Sequence, residues 1–171
     1  MNALALLREQ VDGAHGVLEQ TMADVTEAQA RWAPPGKALR LGVIYGHIAL
    51  GQDFIINVRL RGQQQLAATS YQRKTGLSET PPLGPGWEEW ARRVEIQLPP
   101  LRGYARAVQE NTATYLASLT EGDLDRVVEL QVLGPRSVGT IISNFVVAHV
   151  NNHLGEISCL KGLQGARGYP F

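Results

Sequence analysis

Ile141-Ile-Ser-Asn-Phe-Val-Val-Ala-His149-Val-Asn-Asn-His153-Leu-Gly-Glu156-Ile-Ser-Cys-Leu160-Lys-Gly-Leu163 reads as one long helix. Ile141, Ile142, Phe145, His149, Asn152/His153, Glu156, Leu160 and Leu163 recur at steps of three and four, the period of a single helical face. That periodicity predicts a stripe turned toward the protein interior. Residues four apart on a helix stand one above the other. His149 and His153 can therefore chelate one ion. Two imidazoles set among Ile and Phe cost free energy unless something satisfies their nitrogens, and a metal would do so.

Three more amphipathic segments lie upstream. Leu4, Leu7, Val11, Ala14, Leu18, Met22 and Val25 form a helical stripe that ends before Trp32-Ala-Pro-Pro-Gly36, where paired prolines and a glycine stop a helix. Leu41, Ile44, His47/Ile48, Phe54/Ile55 and Val58 form a second, closing near Arg61-Gly62. Pro99-Pro100 opens a third, since proline fits the first turn, and Leu101, Tyr104, Ala105, Val108, Thr112, Tyr115 and Leu119 give it a buried face. Ser137 or Thr140 caps the last helix, and Gly165, Gly168 and Pro170 end it.

The connections are long. Gln63 to Gly86 is rich in Gln, Ser, Thr, Gly and Pro, and such a length marks a crossover or a functional loop. Trp87-Glu-Glu-Trp90 opens a short helical turn after it. Thr120 to Arg136 carries the alternation Val127-Val-Glu-Leu-Gln-Val-Leu133 before Gly134-Pro135, which predicts extended chain or a small hairpin. The expected fold is all-α: a four-helix bundle with long crossover connections, one domain over residues 1–171.

Bulk properties exclude several classes. Lys+Arg and Asp+Glu both number 16, so the net charge is zero and nothing draws the chain to nucleic acid or to anionic lipid. The single cysteine, Cys159, rules out an intrachain disulfide framework and suits a reducing compartment; its apolar neighbours suggest a packing role. The start Met1-Asn-Ala-Leu-Ala-Leu-Leu-Arg8 lacks the pattern of a signal peptide. No run reaches the roughly 18 uninterrupted apolar residues of a membrane span. A cytoplasmic location without membrane partners is expected.

A catalytic metal centre usually takes three protein ligands and leaves one position open. His47, on the apolar side of the second helix, is the third ligand that joins His149 and His153. Facing helices of a bundle build metal sites from such parts. His15, between Val11 and Leu18, is placed as a fourth ligand or a supporting partner. Glu156, three residues after His153, can orient a ligand or act as a base, and Asn152 can supply a supporting hydrogen bond. Gln52 and Asp53 follow His47 within two turns without standing directly above it. The His-Glu-x-x-His arrangement of zinc proteases is absent.

Gly46-His47-Ile-Ala-Leu-Gly-Gln-Asp53 followed by His149-Val-Asn-Asn-His153-Leu-Gly-Glu156 resembles the DinB-like superfamily. Trp32-Ala-Pro-Pro-Gly36, Leu119-Thr-Glu-Gly-Asp-Leu124 and Gly162-Leu-Gln-Gly-Ala-Arg-Gly-Tyr-Pro-Phe171 extend the likeness over nearly the whole chain. The resemblance implies an up-down-down-up four-helix bundle, often a homodimer. It also implies a histidine triad at His47, His149 and His153 that holds zinc or nickel. Characterised relatives include metal-dependent transferases and isomerases that use low-molecular-weight thiols such as mycothiol, bacillithiol or glutathione. One departure is Gln52, where the family often carries an acidic residue.

Together these readings predict a metal-dependent enzyme, a thiol S-transferase or isomerase acting on a small electrophile. In it the three histidines ligate, Glu156 or Asn152 handles a proton or orients a ligand, and the 63–86 segment walls the pocket. With water in place of the thiol, the same centre would support hydrolysis. The rival from another class is a non-catalytic scaffold or dimerisation module with a structural or vacant metal site. A metal-free pocket for a small apolar ligand is the third reading.

Overall fold

The computed structural model describes residues 2–82 and 84–171; Met1, Leu83 of the 63–86 connection and the side chain of Val132 in the 127–133 alternation lie outside that description. The described chain is mostly helical, with one small hairpin and an isolated antiparallel bridge between Leu77 and Ile96. Helix α1 spans Ala3–Met22 and starts on Asn2, whose side chain accepts the Ala5 N–H. A short helix α2, Glu27–Arg31, follows on a capping box between Thr26 and Gln29. The first stripe therefore breaks at Met22 rather than running on through Val25, and Val25 packs from the link between the two helices.

Helix α3, Leu41–Asp53, continues as a π-helical segment, Phe54–Leu60. Gly42 lets α3 close on α2: a Cβ there would stand 2.9 Å from the Ala30 carbonyl oxygen. The stretch Leu41–Leu60 is long and apolar enough to cross a bilayer by length and composition, but 72% of its apolar window is buried inside the protein. Helix α4, Trp87–Arg93, and helix α5, Leu98–Ser118, begin where the tryptophan pair and the two prolines placed them. Strands β1, Val127–Glu129, and β2, Pro135–Ser137, pair antiparallel in the register Val128↔Arg136. Ser137 then caps α6, Val138–Ile142, by accepting the Thr140 N–H.

The last helix is not uniform. A π-helical segment, Ser143–Ala148, joins α6 to α7, His149–Leu163. A π turn holds more residues than an α turn, so it rotates the face that follows. The buried stripe consequently runs through Ile142, Val146, Val150, Leu154, Ile157 and Leu160. The interior stripe expected through Phe145, His149, Asn152/His153, Glu156 and Leu163 is displaced to the flank of the core. His149 and His153 are half-buried, while Asn152, Glu156 and Leu163 are exposed. The same rotation leaves Cys159 exposed instead of packed.

The core divides into two clusters. One gathers Leu4, Leu7 and Val11 of α1 with Ile56 and Leu60, Tyr115 and Leu116, and Ile141, Ile142 and Val146. The other gathers Leu18 and Met22 with Ile44 and Ile48, Leu101 and Tyr104, and Leu154 and Ile157. Carbonyls left over at helix ends are met by arginines from neighbouring elements. Arg8 donates to Leu116, Ala117 and Leu119 at the end of α5, and Arg102 to Met22, Ala23 and Val25 at the end of α1. Arg126 donates to Leu60, and Arg40 to Ala91 and Val94. Each cation lies where a helix C-terminus carries partial negative charge.

Candidate metal centre

Helix α3 supplies His47, and the first and second turns of α7 supply His149 and His153. Their ligand-capable atoms all lie within 4.8 Å of one another. His47 Nε2 and His149 Nε2 are 3.0 Å apart. Ring centroids stand 4.9 Å apart for His47–His149, 4.9 Å for His47–His153 and 4.6 Å for His149–His153. Gly51, one turn beyond His47, packs beside His149: a Cβ there would only touch His149 Cε1, at 3.4 Å.

The electrostatics suit a cation. Burial, reinforced by the charge His153 would carry, pushes the pKa of His47 down to about 4. Burial, with His47 and then His153 as neighbours, pushes His149 down to about 4 as well. Both rings are neutral at physiological pH, so each keeps a nitrogen lone pair that a cation could take. His149 Nδ1 is buried without a hydrogen-bond partner, and its Nε2 meets only His47. The nitrogen turned toward His47 has no protein oxygen beside it, so Nε2 is the atom an ion would take. His153 differs, because Glu156 Oε2 lies 3.1 Å from its Nδ1 and leaves Nε2 to face the other rings. A carboxylate behind a ligating imidazole is the usual way of orienting it. Zinc–nitrogen bonds of ~2.0–2.1 Å in a tetrahedral site put ligand nitrogens about 3.4 Å apart, a value that falls between the 3.0 Å of the His47–His149 pair and the 4.8 Å that bounds the set.

His47 borders a cavity of about 400 Å³ lined also by Leu50, Gly51, Phe54, Gln65, Thr80, Pro81, Pro82 and Trp87. Trp87 sets its ring edge-on to His47 with centroids 5.3 Å apart. Arg59 covers Phe54, its guanidinium carbon 4.7 Å from the ring centroid. The 63–86 connection thus contributes a wall of the cavity through Gln65 and Thr80–Pro82.

Other sequence candidates fall elsewhere. His15 is neither a ligand nor a support for one: its Nε2 lies 3.0 Å from Gln52 Oε1, and Gln52 in turn donates to Thr112 Oγ1 at 2.7 Å. Gln52, at the position where an acid was expected, is therefore a buried link between helices. Asn152 is exposed and makes no side-chain hydrogen bond among the described residues.

Asp53, whose spacing from His47 assigns it no role, is wholly buried and heavily engaged. It accepts from Tyr104 Oη and Asn57 Nδ2, each at 2.7 Å, and from the Leu66 and Ala67 N–H groups, each at 3.0 Å. The one signal available beforehand was an acid in the middle of an apolar helix, which has to find donors somewhere.

A family model described as the DinB superfamily matches residues 10–157. A solved structure, the conserved protein of locus from Enterococcus faecalis, shares the fold: TM-score 0.74, 23% identity, 95% of this chain and 99% of that one covered. Comparison with curated proteins gave no match.

Proposed function

The chain belongs to the DinB superfamily, and on that premise we propose that it is a metal-dependent enzyme in which His47, His149 and His153 hold one divalent ion, zinc or nickel. The observation that carries this reading is the meeting of three imidazoles, two of them held neutral, with His47 on the wall of a cavity. A divalent ion among neutral ligands keeps its charge and lowers the pKa of a thiol or water beside it.

The reaction proposed is S-transfer or isomerisation with a low-molecular-weight thiol and a small electrophile. Glu156 holds His153 in place and, exposed at the rim, is positioned to take the proton a thiol releases. Asn152, exposed between the two histidines of α7, offers its amide to a bound substrate. Leu50, Phe54, Pro81, Pro82 and Trp87 keep water from the reacting centre. The four long helices are read as a four-helix bundle of up-down-down-up order, forming one domain over residues 1–171. The two clusters support that order: the N-terminal halves of α1 and of the last helix share one cluster with the C-terminal ends of the second and third. A cytoplasmic homodimer completes the proposal.

Elemental analysis of untagged protein and of His149→Ala tests it. About one zinc or nickel per chain, lost in the variant while helicity and melting temperature are kept, supports a catalytic centre. A variant that loses its fold with the metal points instead to a structural site. No uptake of zinc, nickel or manganese overturns the proposal and leaves a helical scaffold.

A further inference from the structure

We propose that the groove leading from the histidines along residues 65–78 seats an elongated anionic substrate, with its apolar part beside Trp87 and an oxyanion at Arg73. The inference rests on the reading above only in taking the histidine end as the reacting end. The groove is a row of three adjoining cavities with shared walls. The cavity beside His47 shares Gln65 and Thr80 with a second of about 350 Å³. That second cavity shares Arg73, Leu77 and Ser78 with a third of about 420 Å³.

Its chemistry changes along its length. At the histidine end the walls are Phe54, Pro81, Pro82 and Trp87. At the far end they include Arg73, Lys74 and Gln97. Two acids also line the groove. Glu79 is taken up by Arg93, which donates to its two oxygens at 2.9 and 2.8 Å. Glu95 is exposed and opposes one of the two cations. Arg73 and Lys74 make no side-chain hydrogen bond or ion pair among the described residues, so the far end keeps a net positive charge. An arginine fork without a carboxylate is matched to a carboxylate or phosphate group.

The loop that carries Arg73 is set in advance. Asp53 fixes one end through the Leu66 and Ala67 N–H groups. The other end is fixed by the Leu77↔Ile96 bridge, by Ser78 N–H on the Glu95 carbonyl at 3.1 Å and by Gln97 N–H on the Gly76 carbonyl at 2.8 Å. Between these anchors Arg73 adopts φ +60°, a left-handed conformation unfavourable for a residue with a Cβ. Strain of this kind persists where surrounding contacts enforce it and gathers at ligand sites. A seat built before the ligand arrives loses less on binding.

The test uses the protein as purified, with its metal content measured, titrated with octanoate, octyl phosphate and 1-octanol. NMR follows the Trp87 indole N–H and the amides of residues 72–76. The expected result is that an anion shifts both sets and binds ~10-fold more tightly than the alcohol, as a charge-assisted pair would provide. Arg73→Gly combined with Lys74→Ala should remove that preference and leave octanol binding unchanged. Glycine suits the left-handed φ, so the variant retains the loop. Octanoate against octyl phosphate tells a carboxylate seat from a phosphate seat. Equal binding of anion and alcohol overturns the inference, and so does a preference that survives the double variant, since the oxyanion would then sit elsewhere. An Arg73-dependent preference in protein that takes up no metal keeps the groove and removes only the metal reading.

Discussion

The Tyr104 hydroxyl donates to Asp53 Oδ2 at 2.7 Å inside the core, and the same carboxylate receives the N–H groups of Leu66 and Ala67. Burial first, and then the charge of Asp53, push the Tyr104 phenol far above its ordinary pKa, so it remains a donor. One carboxylate thereby ties α3, α5 and the start of the cavity wall together. Asp53→Ala would orphan buried donors from three directions, and the expected loss of stability is about 3–5 kcal/mol. Tyr104→Phe leaves Asp53 its other three donors and should cost only ~1–2 kcal/mol. Urea denaturation of the two variants checks both values; equal effects would mean that Asp53 does not hold the loop.

His15 sets a pH limit on stability. Burial depresses its pKa below the usual imidazole value, against the smaller opposing effects of the Gln52 hydrogen bond and of Asp12 and Glu19. A histidine depressed in the folded state takes up its proton first in the unfolded chain. The stability contributed at His15 is therefore level above the unfolded pKa of ~6.5 and falls as pH drops below it toward the folded value, alongside the like contributions of His47 and His149. His15→Gln keeps a donor for Gln52 and removes the proton site. Denaturation at pH 7 and pH 5, with both proteins in the same metal state, should show a shallower decline for the variant.

What was legible in the sequence follows from how local each signal is. The imidazoles of His47, His149 and His153 could be brought together on paper because a pair four apart needs only helical geometry and the third lies on an apolar stripe. The stripe's exact face could not be read, because the π-helical segment at Ser143–Ala148 shifts the phase and has no residue signature of its own. Helix α2 was readable in principle, since Thr26-Glu-Ala-Gln29 is a capping box, but the long stripe through Val25 masked it. Asp53 was beyond reach: its partners at Tyr104, Leu66 and Ala67 are joined to it only by tertiary structure. The pairing of His15 with Gln52 is of the same kind, made across two helices.

Glu156 gives a prediction specific to the metal site. It is mostly exposed, and its contact with His153 Nδ1 at 3.1 Å is its one link to the site. Glu156→Ala should weaken zinc binding ~10–100-fold, the usual cost of removing the partner that orients a ligating histidine. The melting temperature of metal-free protein should stay where it was, because little packing is lost. Glu156→Gln, which keeps an acceptor oxygen, should recover part of the affinity. Competition with a chromophoric chelator measures all three proteins, and undiminished affinity in Glu156→Ala would remove Glu156 from the site.

Gly76 tests whether the groove depends on its far anchor. Its φ is +80°, and a Cβ there would come within 2.5 Å of the Gln97 carbonyl oxygen and of the Leu101 nitrogen. Both contacts are with backbone at the start of α5, so no side chain can swing aside. Gly76→Ala combines an unfavourable left-handed alanine with this overlap, and the expected cost is about 2–3 kcal/mol. The loop can escape the overlap only by giving up the Gln97–Gly76 hydrogen bond and the neighbouring Leu77↔Ile96 bridge. Hydrogen exchange should then rise at Leu77, Ser78, Glu95 and Gln97 while the amides of Leu66 and Ala67, held by Asp53, keep their protection. Loss of protection at both ends together would show one cooperative unit in place of two separate anchors.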